Sequence, residues 1–347
     1  MKVVFAWFWR VLFLLVVIGL LLCGLLLAWA ESWKADAIAA LADGAEVVET
    51  KVGRQQYVAR EEGHPVLVIH GACGGYDQAL AIAGAMPWDG VQIIAPSRPG
   101  YLGTPLSTTL LPEQQADAFA ALLDALDVER VTVFGFAEGA PAAILFATRH
   151  PERTDKLVLV SGLYERLKQP HEVEERPLPE KILNALGGDV TSAFIAWAVI
   201  NNPERSLPEA LSFFYSREQK ENLARFIMGN PDQISGFQAF LLSMVPISVR
   251  EVGLRNDIIQ LKNLPPLPFE SISVPTLLVH GSADPLQSAE GARAVAAKIP
   301  GAIFVGVEGS GHLPWLGPDS ARAGAAIADF VNSATAAEAP ITPPQGD

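Results

Sequence analysis

Apolar and polar positions change period several times along this chain. Residues 11–30 form an unbroken apolar run of 20 residues. At about 1.5 Å per residue, a helix of that length spans roughly 30 Å, the hydrocarbon thickness of a bilayer. Residues 46–59 alternate more weakly, as an antiparallel edge hairpin does. Beyond them lie five short β-branched or aliphatic runs, at 66–70, 91–95, 131–134, 157–160 and 276–280, with a sixth at 302–307. Continuous runs of this length suit strands buried on both faces. Helical periodicity separates them: in 113–126 the apolar residues fall at 116, 119, 122, 123 and 126, and 140–150 and 288–299 behave similarly. The alternation predicts an α/β fold, a mostly parallel twisted sheet with right-handed crossovers and helices on both faces.

One interval breaks the rhythm. Residues 163–271 contain no convincing strand and many large apolar side chains, among them Phe194, Trp197, Phe213, Phe214, Phe237 and Phe240. Asn230-Pro231-Asp232-Gln233 and Ser206-Leu207-Pro208-Glu209 both read as helix starts. The pattern divides the chain into an N-terminal membrane segment at 1–33, a core at 45–162 and 272–332, and a helical insertion at 163–271. Residues 333–347 have no apolar period and three prolines, and are expected to be a disordered tail.

Charge narrows the partners. The 347 residues carry 25 basic and 38 acidic side chains, a net charge of −13, which repels phosphate backbones and argues against nucleic-acid binding. Two cysteines, Cys23 and Cys73, exclude a disulfide scaffold and a four-cysteine zinc site. Lys2 and Arg10 precede the apolar run, while Glu31 and Asp36 offset Lys34 beyond it. The positive-inside bias places the N-terminus in the cytoplasm and the remainder outside, periplasmic or extracellular, with Trp7, Trp9, Trp29 and Trp33 at the interfaces. An uncleaved anchor is the expectation. The alternative is a signal peptide cleaved near Ala30, because Ala28-Trp29-Ala30 fits a small-x-small site.

Ligands of parallel sheets meet the carboxyl ends of the strands, so the turns there are where chemistry is sought. After 66–70 comes His70-Gly71-Ala72-Cys73-Gly74-Gly75, a turn able to offer backbone N–H groups to an anion. After 131–134 comes Gly135-Phe136-Ala137-Glu138-Gly139, leading into a helix, the shape of a nucleophile elbow around residue 137. Asp284 lies in a tight turn after 276–280, and His312 follows Gly311 after the last strand. Elbow, acid, histidine is one of the known triad orders.

These turns, with 95–104 and 149–153, make residues 45–332 resemble the α/β-hydrolase superfamily. The resemblance implies a serine nucleophile at position 137, His312 as general base and then acid, and Asp284 as its orienting carboxylate. It implies an oxyanion hole from the backbone N–H groups of Ala72 and Glu138, and a cap in 163–271. His70 is then structural, and Ser97 and Ser161 lie outside any elbow. The sequence departs from the family at the nucleophile, because Ala137 has no attacking atom. Three readings follow: an ester hydrolase whose serine is replaced and whose activity is nearly lost, a non-catalytic ligand-binding protein on the same frame, and a His312–Asp284 general-base enzyme without a covalent intermediate. The Glu138 side chain is expected to be exposed at the helix start. Insertion aromatics without a cationic cluster suggest a small apolar molecule or ester as partner, besides the membrane reached through the N-terminal helix. No metal or cofactor motif is present: the histidines lack ligand spacing, and neither dinucleotide nor P-loop glycines occur.

Overall fold

The structure is a computed structural model and describes residues 2–106, 110–166 and 188–333. The expected disordered tail lies, but for Ser333, outside the described residues. Helix α1 (Lys2–Asp43) is followed by the hairpin β1 (Glu46–Thr50) and β2 (Gly53–Arg60). Then come β3 (His64–Ile69), α2 (Tyr76–Gly84), β4 (Val91–Pro96), α3 (Pro112–Ala125), β5 (Val131–Phe136), α4 (Ala140–Arg149) and β6 (Thr154–Val160). Among the described residues five helices follow: α5 (Asp189–Asn201), α6 (Pro203–Leu211), α7 (Arg217–Met228), α8 (Pro231–Leu242) and α9 (Glu251–Lys262). The chain ends with β7 (Thr276–Gly281), α10 (Ala289–Ala296), β8 (Ile303–Val307) and α11 (Ser320–Asn332).

The eight strands form one sheet in the order β1-β2-β4-β3-β5-β6-β7-β8. β1 and β2 pair antiparallel, β2 runs antiparallel to β4, and every other pair is parallel. The α/β expectation therefore holds, and its physical basis is visible in the core. Val66, Val68, Phe134 and Val158 face one apolar layer with α2 and α11. Leu67, Ile69, Val133 and Leu157 face the other with α3, α4 and α10. Strands covered on both sides need apolar residues at successive positions, which is why they stand out as short runs.

Among the described residues the segment between β6 and β7 is helical, without strands. Its first predicted helix start is corrected. The Ser206 hydroxyl donates back to the Asn202 and Ala198 carbonyls rather than capping a new turn. The helix starts instead at Pro203, whose missing N–H costs nothing in a first turn, and carries Pro208 inside it. α8 does begin at Pro231, but the Asn230 amide donates to the Phe226 carbonyl at 2.5 Å and gives no side-chain cap.

Helix α1 is long and apolar enough to cross a membrane and continues without a break beyond the apolar run to Asp43. Its last turns touch the body. Trp33 and Leu41 pack on the core, Ala30 is 1% exposed, and the Leu41 carbonyl accepts from the Tyr76 hydroxyl at 3.0 Å and the Gln56 amide at 3.3 Å.

Candidate active site

The carboxyl ends of β3, β5, β7 and β8 bring the singled-out turns together. At the end of β5 the chain turns sharply through Ala137, whose φ of 47° is left-handed, into a short 3₁₀ turn and then α4. Such a φ costs a non-glycine residue about 1–2 kcal/mol. The neighbouring glycines make the turn possible. A Cβ on Gly135 would lie 2.6 Å from the Ala143 methyl, and one on Gly139 would lie 2.5 Å from the His70 carbonyl oxygen. Strand, helix and the β3 turn thus pack closer than side chains allow. A Cβ on Gly71 would sit 3.2 Å from the Ala137 methyl, which places the glycine turn directly against the elbow.

The Nδ1 N–H of His312 donates to Asp284 Oδ2 at 2.8 Å, leaving Nε2 for proton transfer. The ring is held on several sides. Phe136, the residue before the elbow, lies against it with centroids 5.3 Å apart. Phe214 of the helical insertion stacks on it at 6.5 Å and 11°, and the Phe214 carbonyl accepts the His312 backbone N–H at 3.0 Å. Asp284 is fully buried. Its Oδ1 accepts the backbone N–H groups of Leu286 and Gln287 at 2.8 and 3.1 Å. A second histidine, His280, sets Nε2 3.2 Å from Asp284 Oδ2 and 3.1 Å from the Gln287 carbonyl. Burial opposes ionisation of Asp284, but the two imidazoles hold its carboxyl well below the usual range. Burial also opposes protonation of His312. The Asp284 charge outweighs it, Glu138 adds to the effect, and the pKa of His312 rises above its ordinary value.

The turn after β3 is held by its own network. His70 Nδ1–H donates to the Gly71 carbonyl at 2.8 Å, and Nε2 accepts the Arg98 backbone N–H at 2.9 Å. Burial and then the Arg98 charge push the His70 pKa well down, so this imidazole is a neutral strut. Burial, reinforced by Glu138, pushes the Cys73 thiol far up, which makes it a packed residue and not a nucleophile. Two buried guanidinium groups grip the same turn. Arg98 donates to the Gly71 carbonyl at 3.1 Å and pairs with Asp257, while Arg250 donates to the Gly74 carbonyl at 2.8 Å and pairs with Asp77.

One expectation is overturned. The Glu138 side chain is only 5% exposed, and its Oε2 accepts the Ala72 backbone N–H at 3.0 Å. The physical reason is local. Residue 138 starts the turn out of the elbow, and the nearby Ala72 amide offers a carboxylate a hydrogen bond. The Ala72 amide, expected as an oxyanion donor, is taken by the chain's own carboxylate. Ser97 is a framework residue, hydrogen-bonded to Gln56 at 3.1 Å and Tyr76 at 3.2 Å. Ser161, at φ 48°, is buried at the end of β6, outside the elbow. Sequence reasoning missed His280, Arg98, Arg250 and Gln78, which anchors the Gly71 amide at 2.9 Å. His280 carried a signal: it ends a strand four residues before Asp284.

A family model described as alpha/beta hydrolase fold matches residues 64–317. An uncharacterized hydrolase, YcgS, of Bacillus subtilis (strain 168) is 27% identical over 297 residues, covering 83% of this chain and 98% of that protein. Among solved structures, an alpha/beta hydrolase fold protein from Nakamurella multipartita is 31% identical, with a TM-score of 0.75, over 83% of this chain and 98% of its own. A thermophilic esterase from Thermogutta terrifontis shares the fold at 20% identity and a TM-score of 0.56, over 82% and 97% of the two chains.

Proposed function

Because the chain belongs to the α/β-hydrolase superfamily, we propose that it carries the acyl-hydrolase apparatus for an apolar, uncharged ester, with alanine where the attacking serine belongs. The observation that carries this reading is the Asp284–His312 pair beside a left-handed residue 137. In such a frame His312 Nε2 takes the proton of a hydroxyl at 137 and returns it to the leaving alcohol. Asp284 keeps the imidazole oriented and stabilises its cation. Backbone N–H groups of Ala72 and Glu138 receive the developing oxyanion. A methyl at 137 supplies no electron pair. The chain as written then retains at most the roughly 10³–10⁴-fold over water that binding and the oxyanion hole provide.

One contact favours a second reading, ligand binding without turnover: the Glu138 carboxylate occupies the Ala72 donor. Activity of Ala137→Ser and Ala137→Ser/Glu138→Ala over a chain-length series of p-nitrophenyl esters separates the readings. The single variant should gain at least about 10²-fold and label with a fluorophosphonate, and the double variant should exceed it by about tenfold. Folded variants that neither turn over nor label would leave binding as the function.

The helical layer over the crest is proposed as the cap, since Phe214 packs on His312 from there. α1 is proposed as an uncleaved anchor with its N-terminus cytoplasmic. Ala30, where a signal peptidase would cut, is buried within a continuous helix, whereas such cleavage needs an accessible, extended backbone.

A further inference from the structure

The anchor and the insertion meet at the edge of the apolar span. The Trp29 ring, at the end of that span, packs against Phe194 of α5 with centroids 5.3 Å apart. One turn on, Lys34 Nζ lies 3.5 Å from Asp189 Oδ2 at the start of the same helix. α5 is thus fixed level with the point where α1 leaves a bilayer. Along α5, Phe194, Trp197 and Ile200 recur every three residues and are 45%, 51% and 56% exposed. Large apolar groups placed together on the surface mark a contact site, and aromatic side chains are favoured at the bilayer interface. The other side of α5 contributes Ile195, Ala198 and Val199 to a cavity of about 470 Å³, also lined by Phe214, Leu241 and Met244. Phe213, itself partly exposed, belongs to the same lining. That volume is within the range of pockets that take small-molecule ligands. Its inner wall, Phe214, is the ring stacked on His312.

We propose that α5 rests in the interfacial layer of the bilayer that α1 crosses, and that the cavity behind it receives a phospholipid acyl chain from that layer. Trp29–Phe194 sets the depth, the exposed face of α5 enters the interface, and the buried face guides the chain toward Phe214. The lipid is zwitterionic. Without residues 1–30 the protein has 23 basic and 38 acidic side chains, a charge of −15, which repels an anionic surface. This extends the ester-hydrolase reading from a small uncharged ester to a lipid ester with an apolar acyl chain and no net charge, and it rests on that reading only for turnover.

The test uses the full chain in phosphatidylcholine nanodiscs. The emission lost on Trp197→Phe is compared in discs of brominated and ordinary lipid. The Trp197 contribution should be quenched by at least half in brominated discs. Phosphatidylcholine with a diazirine in one acyl chain is photolysed in the same discs, and the adducts are mapped by mass spectrometry. Adducts should fall on peptides containing 195–199 and 241–245, and should drop several-fold in Ala198→Trp, which fills the cavity. Phe194→Ser/Trp197→Ser, on the surface, should reduce them likewise without threatening the fold. Equal emission in both discs, or adducts confined to 11–30, overturns the proposal even where Ala137→Ser hydrolyses short esters. Adducts in the cavity of a chain whose Ala137→Ser variant stays inactive uphold it and reject the hydrolase reading.

Discussion

The Ala72 N–H donates to the Glu138 carboxylate at 3.0 Å, so that carboxylate sits where the proposed oxyanion hole would receive an intermediate's charge. The charge of Glu138 helps Asp284 to raise the pKa of His312. A general base acts in its neutral form, so its activity grows as pH rises through that pKa. In the Ala137→Ser background, kcat/KM should therefore climb along a limb lying above the ordinary histidine value of 6.5. Glu138→Gln in that background removes one raising charge and keeps the side chain's size, and the limb should move to lower pH. A pH–rate profile on a short ester reads this directly, and an unmoved limb would show that Glu138 does not act on His312. The Asp284–His312 pairing was legible because glycines mark those turns and their order, with the proposed elbow at Ala137, repeats a known one. The direction of the Glu138 side chain was not. Its partner, Ala72, is 66 residues away, and no local pattern reports which way a turn residue will point. The spacing of His280 from Asp284 was visible in the sequence, but only the fold shows that its ring turns toward that carboxylate.

At the scale of elements, two long-range ion pairs tie the helical insertion to the glycine turn. Arg98, after β4, makes a two-point pair with Asp257 on α9 at 2.9 and 2.5 Å, and the Tyr101 hydroxyl donates to the same carboxylate at 2.5 Å. Arg250, just before α9, does the same with Asp77 on α2 at 3.1 and 2.6 Å. Gly253 lets α9 come this near, since a Cβ there would lie 2.2 Å from the Tyr101 ring. Both arginines also hold carbonyls of the 71–74 turn, so the insertion positions the turn that carries Ala72. Arg98→Met leaves a buried carboxylate without its cation and should cost about 3–5 kcal/mol of stability. Arg98→Met/Asp257→Leu removes both charges and should recover most of that loss. Denaturant unfolding of the two variants checks this, and a double variant no more stable than the single one would place the effect in packing. The strands and three of the five flanking helices, α3, α4 and α10, were readable because each obeys a single period, whereas α2 and α11 were not singled out. The insertion was readable only as helical. Its helices are set by contacts such as these, which join residues 159 and 173 positions apart, and by prolines that can either begin a helix or sit inside one.

At the scale of the whole molecule, α1 is built of two segments of different character. Residues 11–30 suit hydrocarbon, while residues 31–43 lie against the body through Trp33, Leu41 and the Lys34–Asp189 pair. The second segment, ESWKADAIAALAD, is only 13 residues long, and isolated helices shorter than about 12–15 residues are marginal in water because the first turn is costly to form. With residues 11–30 in a bilayer, as proposed, that first turn already exists in the intact chain, because backbone groups in hydrocarbon must pair within the helix. Residues 31–43 then extend an existing helix onto a waiting surface. A chain beginning at residue 31 must nucleate the same segment unaided. Its backbone N–H groups should exchange with solvent at least tenfold faster than those of the full chain in nanodiscs, while those of β3 and β5 keep their protection. Unfolding stability of the body should fall by only about 1–2 kcal/mol, the worth of two partly buried side chains less the entropy of ordering them. Equal protection of residues 31–43 in both chains would mean that docking alone forms the helix, and that the membrane segment tethers the body without organising it.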